Sequence, residues 1–269
     1  DRGGQVFVVH NRIETIETIA ARIRALAPRA TVAVGHGQMA ADELERLGRL
    51  GAPVVLRTPA GTDAVPFAAL VHLASPRSGG PFIVVDGRSG PDHDLTTWQD
   101  ADRSPLALAD GGTLCLLDVA ALPAEVQEHI SRTLSRHNDA MTRGSITPAS
   151  LVASVRDPVA SLAAQGRLDE TLARFLGSAE VVLPGLAERA EDLRSLALAA
   201  LARAGLEKNG RPMGLDTSAL RLLSEHEWPG NDHEFEDVLG RATRAASGSV
   251  LTASDLAAVG FSPLSPLAA

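Results

Sequence analysis

Short apolar runs alternate with longer amphipathic stretches along this chain. Runs at Gln5–Val9, Thr31–Val34, Pro53–Arg57, Phe82–Val85, Leu114–Leu117, Leu151–Val155 and Val181–Leu183 read as buried strands. Between the first two, Ile13, Ile16, Ile19, Ala20, Ile23 and Leu26 recur at helical spacing, and Pro28 closes that helix. Gly35-His36-Gly37-Gln38 reads as a turn. Residues 40–50 follow as an amphipathic helix carrying Leu44, Leu47 and Leu50 on one face. A loop from Thr58 to Asp63 leads into a helix running through His72. Residues 86–104 are rich in Gly, Asp, Ser and Thr and read as a loop, and Ala124–His137 reads as a helix.

After Pro184 the rhythm changes. Stretches 188–206, 215–225, 231–246 and 252–258 all read as helices, punctuated by Gly210-Arg211-Pro212 and Trp228-Pro229-Gly230-Asn231. Strands alternating with helices, followed by helices alone, predict an α/β fold with a mainly parallel sheet and a small appended helical domain. The central strand lies in GGTLCLLDVAALP (111–123), which ends on one acid, Asp118, beside Leu117. In open α/β sheets the carboxyl ends of the strands are where ligands sit.

Composition narrows the function classes. The chain has 269 residues, 45% hydrophobic and 22% charged, enough for one large or two modest domains. Its net charge of -8 supplies no global attraction to nucleic acid or anionic membrane, and no basic stripe with aromatics appears. The one cysteine, Cys115, falls inside the central apolar strand; it makes no disulfide, and a reducing, cytoplasmic setting fits. No apolar run is long enough to span a bilayer. The opening residue is Asp1 rather than Met, so we expect a piece of a longer chain.

Other constellations are weak. The 8 histidines show no metal-ligand spacing. Asp92-His93-Asp94 reads as a solvated loop before a cation site, and Ser131, Ser135 and His137 share a helix without an acid to complete a triad. Glu225-His226-Glu227 with Glu234, Glu236 and Asp237 predicts an acidic, solubilising face. Trp98, the one aromatic in its loop, is either a contact anchor or a packing residue.

Two resemblances follow from particular motifs. The Val-His-Asn-Arg-Ile-Glu run and the His-Gly-Gln-Met turn, within residues 1–47, resemble the opening of the second motor lobe of the bacterial transcription-repair coupling factor, a DNA translocase. From about residue 40 to 260 the chain resembles the AAA+ domain of bacterial enhancer-binding proteins, activators of the sigma-54 form of RNA polymerase. The segments LVHLASPRSGGPFIVVD (70–86), GGTLCLLDVAALP (111–123), QGRLDETLARFL (165–176), LPGLAERAEDL (183–193) and WPGNDHEFEDVLGRA (228–242) carry it, with LTASDL (251–256) at the end. This implies a P-loop-NTPase-like, three-layer parallel sheet with a C-terminal helical AAA+ lid. The expected divisions are 1–39, a strand-helix-strand segment; 40–184, the α/β domain; 185–260, the lid; and 261–269, a tail.

The resemblance also implies an ATPase, and the residues depart from it. Where the family has Gly-x-x-Gly-x-Gly-Lys, this chain has Thr58-Pro59-Ala60-Gly61-Thr62-Asp63-Ala64. A phosphate loop needs free backbone N–H groups and a lysine, whereas Ala64 takes the lysine position and Asp63 adds a negative charge. Repulsion there costs about a few kcal/mol. The magnesium and water-activating acids correspond to Leu117 and Asp118. The two arginines that reach a neighbour's site correspond to Asp169 and Phe175, with Arg174 displaced by about 100° around a helix. The lid arginine corresponds to His233, and a polar Asn at the strand tip before Arg156 to Val155. The sigma-contacting Gly-Ala-Phe-Thr-Gly-Ala loop has no counterpart in 87–110.

The expectation is therefore a non-catalytic AAA+ module acting by protein binding in transcription control. Its partner would be an AAA+ family member or a sigma factor, not DNA and not a membrane. No catalytic or metal residue is expected; vestigial nucleotide contacts fall to Gly61, Thr62, Asp118 and Asn231, and ATP with magnesium enters only if that site still binds. Asp118 is expected to lack a phosphate, lysine or arginine partner. Alternatives are an ATP-binding member of a mixed ring and a remnant of a DNA translocase.

Overall fold

The computed structural model describes residues 37–88, 90, 93–141, 149–177 and 179–262. The expected strands at 5–9 and 31–34, the helix between them, His10, His36, Asp92 and the 263–269 tail lie outside these residues.

Helix α1 (Gly37–Leu50) opens the described chain, so the expected turn gives way to helix at Gly37 and Gln38. Met39, Ala40 and Ala41 follow directly and are good helix formers. Gly51, at φ 65, ends it. Strand β1 (Val54–Arg57) is next, then α2 (Val65–Ala74) with a proline in its first turn. α1 and α2 pack closely because Gly48 faces α2: a Cβ there would sit 2.5 Å from the Val71 carbonyl oxygen.

Strand β2 (Phe82–Asp86) leads into the polar stretch predicted to be a loop. It holds one short helix, α3 (Leu95–Gln99), and a second, α4 (Pro105–Leu108), follows it directly. Each is set by a capping side chain: Asp94 accepts from the Thr96 amide and Ser104 from the Ala107 amide. The hydrogen bonds from Thr96 hold the Asp94 carboxyl below its ordinary range, and the acid expected in a solvated loop is a helix cap. Trp98 is 2% exposed in the main core, so packing decides its role.

Strand β3 (Thr113–Leu117), α5 (Ala124–Met141), β4 (Ser150–Val155), α6 (Val159–Ala164), α7 (Glu170–Leu176) and β5 (Glu180–Val182) complete the α/β part. The five strands are all parallel, in the order β2-β3-β4-β1-β5. One face of the sheet packs on α5, α6 and α7 through Ile130, Leu162, Leu172 and Leu176. The other packs on α1 and α2 through Leu44, Leu47, Ala68 and Val71. These are the three layers of a P-loop-NTPase-like fold.

Cys115 sits in the middle of β3, and burial pushes its thiol up to about 12, with a smaller contribution from the Asp63 charge. The unfolded chain therefore sheds this proton above about pH 9 while the folded chain keeps it, so stability contributed by the thiol falls as pH rises, by about 1.4 kcal/mol per unit. We expect Cys115→Ala to flatten the loss of denaturation free energy between about pH 9 and 11. An unchanged slope would contradict this.

Beyond β5 a 3-10 turn (Leu186–Arg189) enters the lid: α8 (Leu193–Asn209), α9 (Thr217–Ser224), α10 (Asn231–Ala245) and α11 (Ala253–Ala258). Two short strands, β6 (Gly214–Leu215) and β7 (Val250–Leu251), pair parallel between them and are too brief to show in the apolar pattern. The lid core centres on Trp228, which packs edge-on to Phe235 and stacks on Phe261. The expected acidic face is only partly a surface. His226 and Glu234 are buried, with Nε2 and Oε1 3.7 Å apart, because each closes the turn before α10. The Trp228 amide donates to His226 Nδ1 and the Gly230 amide to Glu234. Glu236 and Asp237 remain outside, paired with Arg203 and Arg241.

Candidate functional site

Parallel strands place their carboxyl ends side by side, so the ends of β1, β3 and β4 form one rim of a cleft and the start of α10 forms the other. The cleft is about 440 Å³ and is lined by Gly61, Thr62, Asp63, Asp118, Arg156 and His233, among others. Gly61, Thr62 and Asp118 thus come together, and Asn231 stands just behind them, donating to the Ala60 carbonyl at 2.8 Å.

Three amides of the loop from Thr58 to Ala64 donate to acceptors within the protein. Thr58 N–H donates to Val155 O, Thr62 N–H to Pro59 O and Asp63 N–H to Asp232 Oδ2. The Val65 amide, at the start of α2, donates to the Asp63 carboxylate at 2.9 Å. Pro59 and Pro66 have no amide to offer. Ala64 is 4% exposed, and its methyl belongs to the α1–α2 core. Leu117 packs against the same core, and Val155 is buried in the other one. The Thr62 hydroxyl is buried without a partner.

Asp118 departs from expectation. It has arginine partners: Arg156 Nη2 lies 3.4 Å and Arg88 Nε 3.8 Å from its carboxylate. The adjacent strand ends explain the first pairing, since β3 and β4 run in register and Arg156 follows β4 directly. Asp118 itself is left-handed, φ 48, with its amide donating to Ser154 Oγ at 2.8 Å. Gly87 lies so close that a Cβ there would meet the Asp118 carbonyl oxygen at 2.6 Å.

Arg174 is turned to its own helix, donating to Glu170 O and Thr171 Oγ1. Asp169 caps α7, accepting from the Leu172 amide. Among the described residues no group of three or more His, Cys, Asp or Glu is arranged to hold a metal ion. No helix among them is long and apolar enough to cross a membrane.

Sequence reasoning missed Arg88, Arg189 and Asp232. Arg189 donates to both carboxylate oxygens of Asp232 at 2.9 Å and lies over the Phe67 ring, 5.3 Å from its centroid. Only the fold brings these groups together, across 43 residues for the ion pair.

A helical lid thus follows a five-stranded parallel α/β sheet. Residues 187–261 match the model of the AAA+ ATPase lid domain. Over most of its length the chain is homologous to curated bacterial regulators. It is 27% identical over 240 residues to the Nif-specific regulatory protein of Azotobacter vinelandii, covering 84% of this chain and 46% of that protein. It is 28% identical over 227 residues to the response regulator protein FleR of Pseudomonas aeruginosa, covering 78% of this chain and 48% of that one. The chain thus spans under half the length of these relatives. Among solved structures, NtrX from Brucella abortus in complex with ADP shares the fold, with a TM-score of 0.65 at 22% identity, over 92% of this chain and 59% of that one.

Proposed function

We propose that this chain is a non-catalytic AAA+ module of the sigma-54 interaction type, acting by protein binding in bacterial transcription regulation within the cytoplasm. One observation carries the reading. At the positions where the resembling family places its lysine, its metal-facing acid and its strand-tip Asn, this chain has Ala64, Leu117 and Val155, and all three pack into apolar cores. A magnesium–triphosphate does not fit these residues: an aliphatic side chain offers no oxygen to a hydrated cation, and the Thr58, Thr62, Asp63 and Val65 amides already have partners. Asp118, set between Arg156 and Arg88, is a paired carboxylate rather than a base facing water.

The homology to regulators supports the transcriptional setting, and the retained sheet and lid support a role that needs shape without turnover. The partner class is another AAA+ protein or a sigma factor. A second reading, an ATP-binding member of a mixed ring, is favoured by the persistence of the cleft with Gly61 and Thr62 on its wall. Phosphate release by the purified chain, alone and mixed with an intact AAA+ activator, separates the two. We expect none from the chain alone and no stimulation of the partner's rate through a site on this chain. Turnover by the chain alone would overturn the proposal, and co-assembly with stimulated turnover would favour the mixed ring.

A further inference from the structure

The lid and the loop are joined by hydrogen bonds that use no ligand. Asn231 bridges them: its Nδ2 donates to Ala60 O, and its Oδ1 accepts from the Leu186 amide at 2.8 Å. The His233 amide, in the first turn of α10, donates to Gly61 O at 3.0 Å. Gly61 passes so close that a Cβ would lie 2.1 Å from Gly230 O. The most telling group is Asp232. One of its oxygens accepts from the Asp63 amide at 3.1 Å, and Arg189 neutralises both oxygens. Arg189 is 8% exposed and its Nε has no partner, so this charge pair is enclosed between the lid and α2. An anion held by a loop amide and a buried arginine has the chemistry of a bound phosphate oxygen, supplied here by the protein.

We propose that Asp232 is a built-in anion that latches the lid onto the 58–64 loop, so that the lid is closed without nucleotide. The latch stands on these hydrogen bonds and not on the missing lysine or acids, so it holds or fails independently of the function proposed above. Native-state hydrogen exchange on the whole chain tests it, with and without millimolar ATP and magnesium, alongside a direct ATP-binding measurement on the same sample. In nucleotide-free protein the Asp63 and His233 amides should be strongly protected, and ATP should leave that protection unchanged. Asp232→Ala should speed exchange at Asp63 by about tenfold or more while the β3 amides keep their protection. Free exchange of Asp63 in the wild type, protection that appears only with ATP, or an unchanged rate in Asp232→Ala would each overturn the latch. If the variant does not fold, the wild-type comparison decides alone. If ATP binds and is hydrolysed while protection is constant, the function proposed above fails and the latch stands.

Discussion

Trp228→Ala should lower stability by about 3–5 kcal/mol, the range for truncating a fully buried aromatic. Trp228 is 1% exposed and is the centre of the lid core. It touches Phe235 with ring centroids 4.8 Å apart, Phe261 at 5.4 Å and His226 at 4.6 Å. Its indole N–H donates to the Leu223 carbonyl at 2.9 Å, which alanine would leave buried and unpaired. Its backbone is left-handed, φ 50, and alanine gives no relief there because it keeps a Cβ. Urea denaturation followed by fluorescence and by far-ultraviolet circular dichroism measures the loss. A change below about 1 kcal/mol would mean that the lid core is not packed as described.

Gly61→Ala should be nearly as damaging, by about 2–4 kcal/mol, and for a different reason. Gly61 has φ 79, a conformation that costs any residue with a Cβ, and the added methyl would be driven into the Gly230 carbonyl. The contact lies between loop and lid, so the expected response is separation of the two, seen as a larger radius of gyration in solution scattering. Gly79→Ala is the matched control: nothing lies within 4 Å of its Cβ position and its φ is unremarkable, so it should be close to neutral. Equal behaviour of the two variants would contradict the close approach.

The sheet was legible because its strands are short apolar runs buried on both faces. Val54–Arg57, Phe82–Asp86, Thr113–Leu117, Ser150–Val155 and Glu180–Val182 differ from the sequence expectation by a residue or so at their ends. The helices Leu95–Gln99 and Pro105–Leu108 were not legible, since helices of one turn carry no period and are defined by Asp94 and Ser104 as caps. The cleft was half legible. Loop residues Gly61 and Thr62 and the strand end Asp118 could be placed from the pattern and the family likeness. Its charges could not: Arg88 and Arg156 reach Asp118 only because β2, β3 and β4 are neighbours, and Arg189 meets Asp232 only when the lid has folded. His226 and Glu234 misled in the other direction, since acidic neighbours in sequence suggest solvent while turn geometry draws both inside.

The measurement closest to the central claim is calorimetric titration of the whole chain with ATP and magnesium. A cleft whose Thr58, Thr62 and Asp63 amides are engaged, whose lysine position is a buried alanine and whose strand end carries Leu117 should give no binding heat up to about millimolar ATP, equivalent to less than roughly 4 kcal/mol of binding free energy. Saturable binding in the micromolar range, accompanied by phosphate release, would contradict the account.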